Sequence, residues 1–371
     1  MMNKVVYSLW VLFASLTLSC SQISVPTPKG VKPQENIFQA KWIKNHDPIY
    51  NTGNLPVGLG APLIHAGVVY VGHDDAGLKA YSLRTGRLLW HGKEKQRYHA
   101  GPVAYDDQVI YGTVEGRVVS RHSTTGEIKY EIDLGSSVES QGVVSNGRLL
   151  FHLRNHQLFC LDVETGKILW AYKRAVPYLT TLQRASRPLV HENKVFVGFA
   201  DGYAAAFSLE DGLLLWEQRL SSGTKFVDVD TDPLIIDGQL YMGPYTSTYS
   251  ILDPKTGNVL HKLNHTLSRA AVPFDEKLIL GTQEGKVVTI NRQLRELQST
   301  QLDGAVTSLK LWKKYLVAGT TSGKVYALDP QSLEIQEVFE LGHAHSSILA
   351  PFQVSDETLV IMSSRNRIYA F

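Results

Sequence analysis

One motif recurs along this chain and restricts its fold more than any other feature. The segment "GLKAYSLRTGRLLW" (77–90) returns as "GRVVSRHSTTGEIKY" (116–130), "HQLFCLDVETGKILW" (156–170), "GYAAAFSLEDGLLLW" (202–216) and "TYSILDPKTGNVLH" (248–261). Weaker copies follow as "GKVVTINRQLRELQ" (285–298) and "GKVYALDPQSLEIQ" (323–336). Matched positions lie about 38 to 46 residues apart, the period of a four-stranded propeller blade. Upstream of each copy stands another pair of short apolar runs joined by a polar turn, for example "PLIHAGVVYVG" and "PLVHENKVFVG". Pro62, Pro102, Pro188, Pro233, Pro273 and Pro351 recur there and are read as marking the first residue of an inner strand, where no ladder hydrogen bond is lost.

Each unit therefore reads as four antiparallel strands. The third strand is expected eight times, at about 78–83, 118–123, 158–162, 204–209, 249–253, 287–291, 325–329 and 368–371. The chain ends at "RIYAF", so the eighth unit lacks an outer strand. "NIFQAKWIKN" (36–45) supplies one and sets Trp42 where other outer strands carry Trp90, Trp170 and Trp216. The expected fold is all-β: an eight-bladed β-propeller of four-stranded antiparallel blades, closed by the N-terminal strand on the C-terminal blade. Closure removes the open sheet edge that would template aggregation. The glycine of the Thr-Gly turn supplies a positive φ, and the aromatic four residues later is placed to wedge between blades.

At the N-terminus, Lys4 precedes an apolar run to Leu18, then Ser19 and Cys20. That layout is a secretory signal, too short to span a bilayer comfortably. Residues 1–19 are read as a signal peptide, 20–36 as a lipidated Cys20 with a proline-rich tether, and 37–371 as one propeller. Lys and Arg total 37 against 35 Asp and Glu, a formal charge of +2 that offers nucleic acid no electrostatic attraction. Cys160 is the other cysteine and reads as a small buried apolar residue. His343 and His345 in "GHAHSS" share a face if extended; the reading adopted is a loop before the last blade, with no metal.

The stretch "VDVDTDP" (227–233) sets Asp228, Asp230 and Asp232 at alternate positions, roughly 7 Å apart on one face if the chain is extended. Pro233 fixes where an inner strand begins, so the stretch is the link between two blades, expected on an exposed end face. It lacks the glycine-containing spacing of a calcium loop. No cleft that would tune a catalytic carboxylate pair is visible. Turn capping by the aspartates and docking of a cationic partner remain, and docking is the reading taken.

The copy "CLDVETGKILW" resembles the PQQ-type repeat, in which an Ala-x-Asp-x-x-Thr-Gly-x-x-x-Trp pattern marks each blade. That repeat occurs in quinoprotein dehydrogenases, many with a vicinal cysteine pair that this chain lacks. A quinone- or sugar-linked oxidoreductase is the alternative function, and a general periplasmic interaction propeller another. Most of the mature chain is similar to the BamB family of lipoproteins in the outer-membrane barrel-assembly machinery. The segment 176–220 resembles that family's "P-x-L-x-L-R-G-x-S-x-P" loop and the blade after it, and "VDVDTDP" resembles its "S-D-V-D-T-T-P" loop. The resemblance implies a non-enzymatic scaffold without cofactor, lipid-anchored on the periplasmic face of the outer membrane. It implies docking to the periplasmic domains of a BamA-like barrel insertase and assistance to unfolded outer-membrane clients. Asp228 and Asp230 match the family's acidic pair, Leu179 and Leu182 take its two leucines, and Gln183 or Arg184 holds its arginine's place.

Overall fold

The second and third strand of every repeat are short continuous apolar runs such as "QVIYG", "RLLFH" and "KVFVG", which suit strands covered on both faces. The computed structural model describes residues 36–46, 60–73, 77–92, 97–98, 100–176, 185–223, 227–244, 249–263, 267–342 and 345–371. These form 32 strands, β1 to β32 in chain order, in eight four-stranded antiparallel sheets. The sheets are the blades of an eight-bladed propeller. Residues Ile37–Phe371 make one compact unit. Cys20 and the tether to residue 35 lie outside the described residues.

Seven blades use consecutive strands. The eighth has the order β1-β32-β31-β30, from β1 (Trp42–Asn45), β32 (Arg367–Ala370), β31 (Thr358–Met362) and β30 (Gln353–Ser355). Trp42 pairs with Ala370 and Ile43 with Tyr369, so the front of the chain closes the ring as its sequence implied. Third strands fall within a residue or so of expectation, from Gly77–Ser82 to Arg367–Ala370. One reading fails. Pro273 lies inside β22 (Leu267–Phe274), paired with Leu278, and does not mark the start of that strand. An inner strand has a free edge, so a missing N–H there costs no ladder bond.

First and second strands are joined by two-residue hairpins. The first turn residue is left-handed in all eight: Ala66, Asp106, Asn146, Glu192, Asp237, Asp275, Lys313 and Asp356. Such turns match the right-handed twist of the strands they join. In blade 3 the turn between third and outer strands is fastened by Asp162, whose Oδ1 accepts the Thr165 N–H at 2.9 Å and its hydroxyl at 2.6 Å. The Thr165 bonds hold the Asp162 carboxyl below the usual carboxylate range.

The aromatic residue of each strong copy reaches the next blade. The Nε1 of Trp42, Trp90, Trp170 and Trp216 donates to Leu83, Ser123, Leu209 and Pro254 carbonyls at 2.7 to 3.1 Å, and the Tyr130 hydroxyl donates to Val163 at 3.0 Å. Each acceptor lies three residues before the turn glycine on which the ring rests. At Gly212, φ is +73, and a Cβ would meet the Trp170 ring at 2.6 Å. In a weak copy the turn carries Leu333, fully buried at φ 57; from the preceding blade Gln298, at the aromatic's register, donates to the Gln331 carbonyl, and the Thr300 hydroxyl donates to the Leu333 carbonyl at 2.8 Å.

Because Trp42 makes this contact across the seam, Trp42→Ala should lower the unfolding free energy by about 3–5 kcal/mol. Trp42→Phe keeps a ring but loses the Nε1 hydrogen bond and should cost about 1 kcal/mol. Urea midpoints for the two variants test the order.

Candidate functional site

Strands alternate in direction, so the links between blades and the turns between second and third strands share one face of the ring. Two links there concern the candidate site: residues 174–188, from blade 3 to blade 4, and residues 220–233, from blade 4 to blade 5. Blade 3 holds β10 (Val143–Ser145), β11 (Arg148–His152), β12 (Gln157–Asp162) and β13 (Ile168–Lys173). Blade 4 holds β14 (Leu189–His191), β15 (Lys194–Gly198), β16 (Tyr203–Ser208) and β17 (Leu214–Arg219).

Both links are bolted down by a hydroxyl two residues before their proline. Ser186 Oγ accepts the Gly198 N–H at 2.8 Å and donates to the Gly198 carbonyl at 3.1 Å. Thr231 Oγ1 does the same to Gly243, at 3.1 and 2.6 Å. Val229 covers Gly198 so closely that a Cβ there would lie 2.1 Å from the Val229 carbonyl oxygen. Asp232 Oδ1 accepts the Arg187 N–H at 3.0 Å, which staples one link to the other. Of the three aspartates, Asp232 thus performs the capping role, across two links.

The other two acids are not where an extended, exposed link would put them. Asp228 is 3% and Asp230 0% exposed, and Val229 between them is equally buried. Residues 227–230 form no strand, so the alternation of faces read from the sequence does not apply. Both carboxylates are engaged within the protein. Reversing them to lysine would place cations in the interior, contrary to an expectation based on surface residues. Leu179, Leu182, Gln183 and Arg184 lie outside the described residues, as does His343. His345 sits in a turn with φ 59 before blade 8. Cys160 is buried in the core of blade 3, and desolvation pushes its thiol up to about 12. Among the described residues no group of three or more His, Cys, Asp or Glu is placed to hold a metal ion.

Sequence reasoning passed over a cluster at the root of the first link. Arg174 Nε contacts Asp201 at 2.6 Å and its Nη1 contacts Glu217 at 2.8 Å. The guanidinium also lies 5.0 Å from the centroid of Phe199 and 4.8 Å from that of Tyr203. Burial works against its charge, but the hydrogen-bonded Glu217 and Asp201 carboxylates outweigh that and hold its pKa above the ordinary value. Beside it lie His152 and His156, both buried, with ring centroids 5.7 Å apart. Desolvation lowers them to about 3 and about 4 respectively. The visible signal was that blade 3 departs from the repeat at these positions.

A ring of Thr-Gly/aromatic repeats whose distinctive polar chemistry is lodged in two stapled links defines a PQQ-type propeller with a surface-link site. The sequence profile described as outer membrane protein assembly factor BamB matches residues 74–293, and the chain belongs to that family. Outer membrane protein assembly factor BamB of Yersinia pestis is 26% identical over 322 residues, covering 80% of each chain. That of Salmonella typhimurium is 25% identical over 318 residues, covering 82% of this chain and 80% of its own. The crystal structure of BamB from Moraxella catarrhalis superposes with a TM-score of 0.72 at 20% identity, over 90% of this chain and 98% of that one. A quinohemoprotein alcohol dehydrogenase from Pseudomonas putida reaches 0.70 at 12% identity over 90% of this chain and 75% of its own, a likeness of fold alone.

Asp230→Lys should destabilise the protein by about 3–5 kcal/mol, the range for a buried charge left uncompensated. Asp232→Ala, at a half-buried position, frees one backbone N–H and should cost about 1–3 kcal/mol. Chemical denaturation separates the two; a smaller loss for Asp230→Lys than for Asp232→Ala would contradict the burial.

Proposed function

We propose that the protein is a non-enzymatic assembly factor for outer-membrane β-barrel proteins, docking a BamA-like barrel insertase through the link face of its propeller. Membership of the BamB family is the observation that carries this reading, because it spans the blades that bear both candidate links. The stapled links add a physical reason. A rigid ring presents loops without requiring them to order on binding, which limits the entropic cost of association.

In this reading Leu179 and Leu182 supply the apolar centre of the contact and Gln183 or Arg184 a polar partner at its edge. Asp228 and Asp230 act from within, shaping the neighbouring link. A lipid on Cys20 keeps the ring at the periplasmic face of the outer membrane. Extended client chains are a further class of partner. Family kinship supports the assembly role; the anchor and the individual contacts rest on the resemblance of residues 16–20, 176–188 and 227–233.

Pull-down of the tagged full chain from detergent-solubilised membranes should recover a large β-barrel protein. Leu179→Glu with Leu182→Glu should cut that recovery at least tenfold and leave the melting temperature within a few degrees. Undiminished recovery would remove the leucines from the interface, and a different stable partner would end the assembly reading.

A further inference from the structure

Backbone hydrogen bonds align the blades residue by residue on the link face. The fifth residue of the second strand is Gly72, Gly112, Gly198, Gly281 or Gly319 in five other blades, and His152 in blade 3. The turn that follows is closed by Gly116, Gly202, Gly285 or Gly323 in four other blades, and by His156 in blade 3. The residue after the outer strand bonds back to that turn. It is Leu134, Leu220, Leu302 or Leu341 in four other blades, and Arg174 in blade 3. Blade 8, closed by the N-terminal strand, also departs from glycine, glycine and leucine, with Met362, Asn366 and His46. Among the described residues only blade 3 is ionisable at all three positions, and its three side chains gather around Phe199. Centroid distances to that ring are 5.3 Å for His152 and 6.4 Å for His156, and the Arg174 guanidinium carbon is 5.0 Å away. In blade 8 the departures accompany ring closure by a strand from the far end of the chain. In blade 3, whose strands are consecutive, no such closure accounts for them, and departures of that kind concentrate where function imposes its own demand.

We propose that His152, His156 and Arg174 form a proton-sensitive clamp on the described root of the link into blade 4, Ala185 to Pro188, so that acid loosens this link while the ring stays closed. The inference goes beyond docking and concerns the isolated chain. His152 Nδ1 lies 3.0 Å from the Ser186 carbonyl oxygen, and Ser186 in turn holds Gly198. Among the described residues, His152 Nε2, both ring nitrogens of His156, Arg187 Nε and Asp201 Oδ1 are buried without a hydrogen-bond partner. The joint is therefore polar and closed, yet incompletely satisfied, a state that costs free energy.

Blade 3 contributes His152, His156, Tyr172, Arg174 and the buried Cys160 thiol; blade 4 contributes Asp201, Tyr203 and Glu217; the link contributes Ser186 and Arg187. The Arg154–Glu139 pair lies one turn away. Burial, the neighbouring imidazole and Arg174 all disfavour a proton on the histidines, while Asp201 and the bond to Ser186 favour it; burial prevails. An opened joint takes protons near the ordinary histidine value of 6.5, the closed one near 4 and 3. Falling pH below 6.5 thus favours the opened form, by a factor of about 30 per imidazole at pH 5.

Hydrogen exchange of the chain alone, at pH 7.5 and 5.0 and corrected for intrinsic rates, tests the clamp. Peptides covering Ala185–Arg187 and Phe199–Gly202 should open about 30-fold or more at pH 5.0, with the other blades unchanged. His152→Gly, His156→Gly and Arg174→Leu together install the residues that blades 2, 4, 6 and 7 use and should abolish the response. Equal protection at both pH values, or the same response in the triple variant, would overturn the proposal. Should that variant not fold, histidine NMR titration of the wild type decides. Imidazoles still uncharged at pH 5 support the clamp, and titration of either near 6.5 overturns it.

Discussion

An aromatic ring lying on a glycine of the neighbouring blade, with its N–H or O–H on a carbonyl three residues earlier, is the contact that turns separate sheets into a ring. A single four-stranded blade cannot bury both of its faces, so its second and third strands require neighbours on either side. The five contacts from Trp42, Trp90, Tyr130, Trp170 and Trp216 supply both apolar area and a directional bond, and so set the rotation between blades as well as their adhesion. Trp42 matters most because its strand is contributed from the far end of the chain. Without it the eighth sheet would expose an edge and the ring a seam.

Fixing the blades fixes the links. Ser186 and Thr231 hydroxyls each bridge the N–H and carbonyl of a glycine, Gly198 at the end of a second strand and Gly243 just past one, and Asp232 ties the two links together through Arg187 N–H. These bonds satisfy backbone groups that a loop on a protein face would otherwise leave to water. They also explain why the acidic stretch folds inward. With Thr231 drawn to Gly243 and Val229 pressed on Gly198, the residues between and beside them follow into the interior.

Much of this was legible because a repeat states its rule several times. Blade number, strand order, the closing role of residues 36–45 and the wedge position of the tryptophans all followed from period and turn chemistry. Pro273 was misplaced because it was matched by residue type, whereas the two-residue hairpin beginning at Asp275 sets the register. The expected exposure of Asp228 and Asp230 fails for a different reason: local pattern reports how side chains alternate in a strand, and residues 227–230 belong to no strand and are enclosed by their surroundings. Arg174, His152 and His156 could have been found by asking where the repeat breaks its own rule.

The sequence by itself determined the architecture, since glycine-bearing turns, apolar runs of strand length and a period near 40 residues admit few other ways to bury the same side chains. It also determined the family, through motifs carried in those repeats. Only the tertiary structure decided which polar residues face solvent and which are enclosed, and which of them meet. Burial in a link depends on side chains contributed by two blades distant in sequence, and no local pattern encodes that sum.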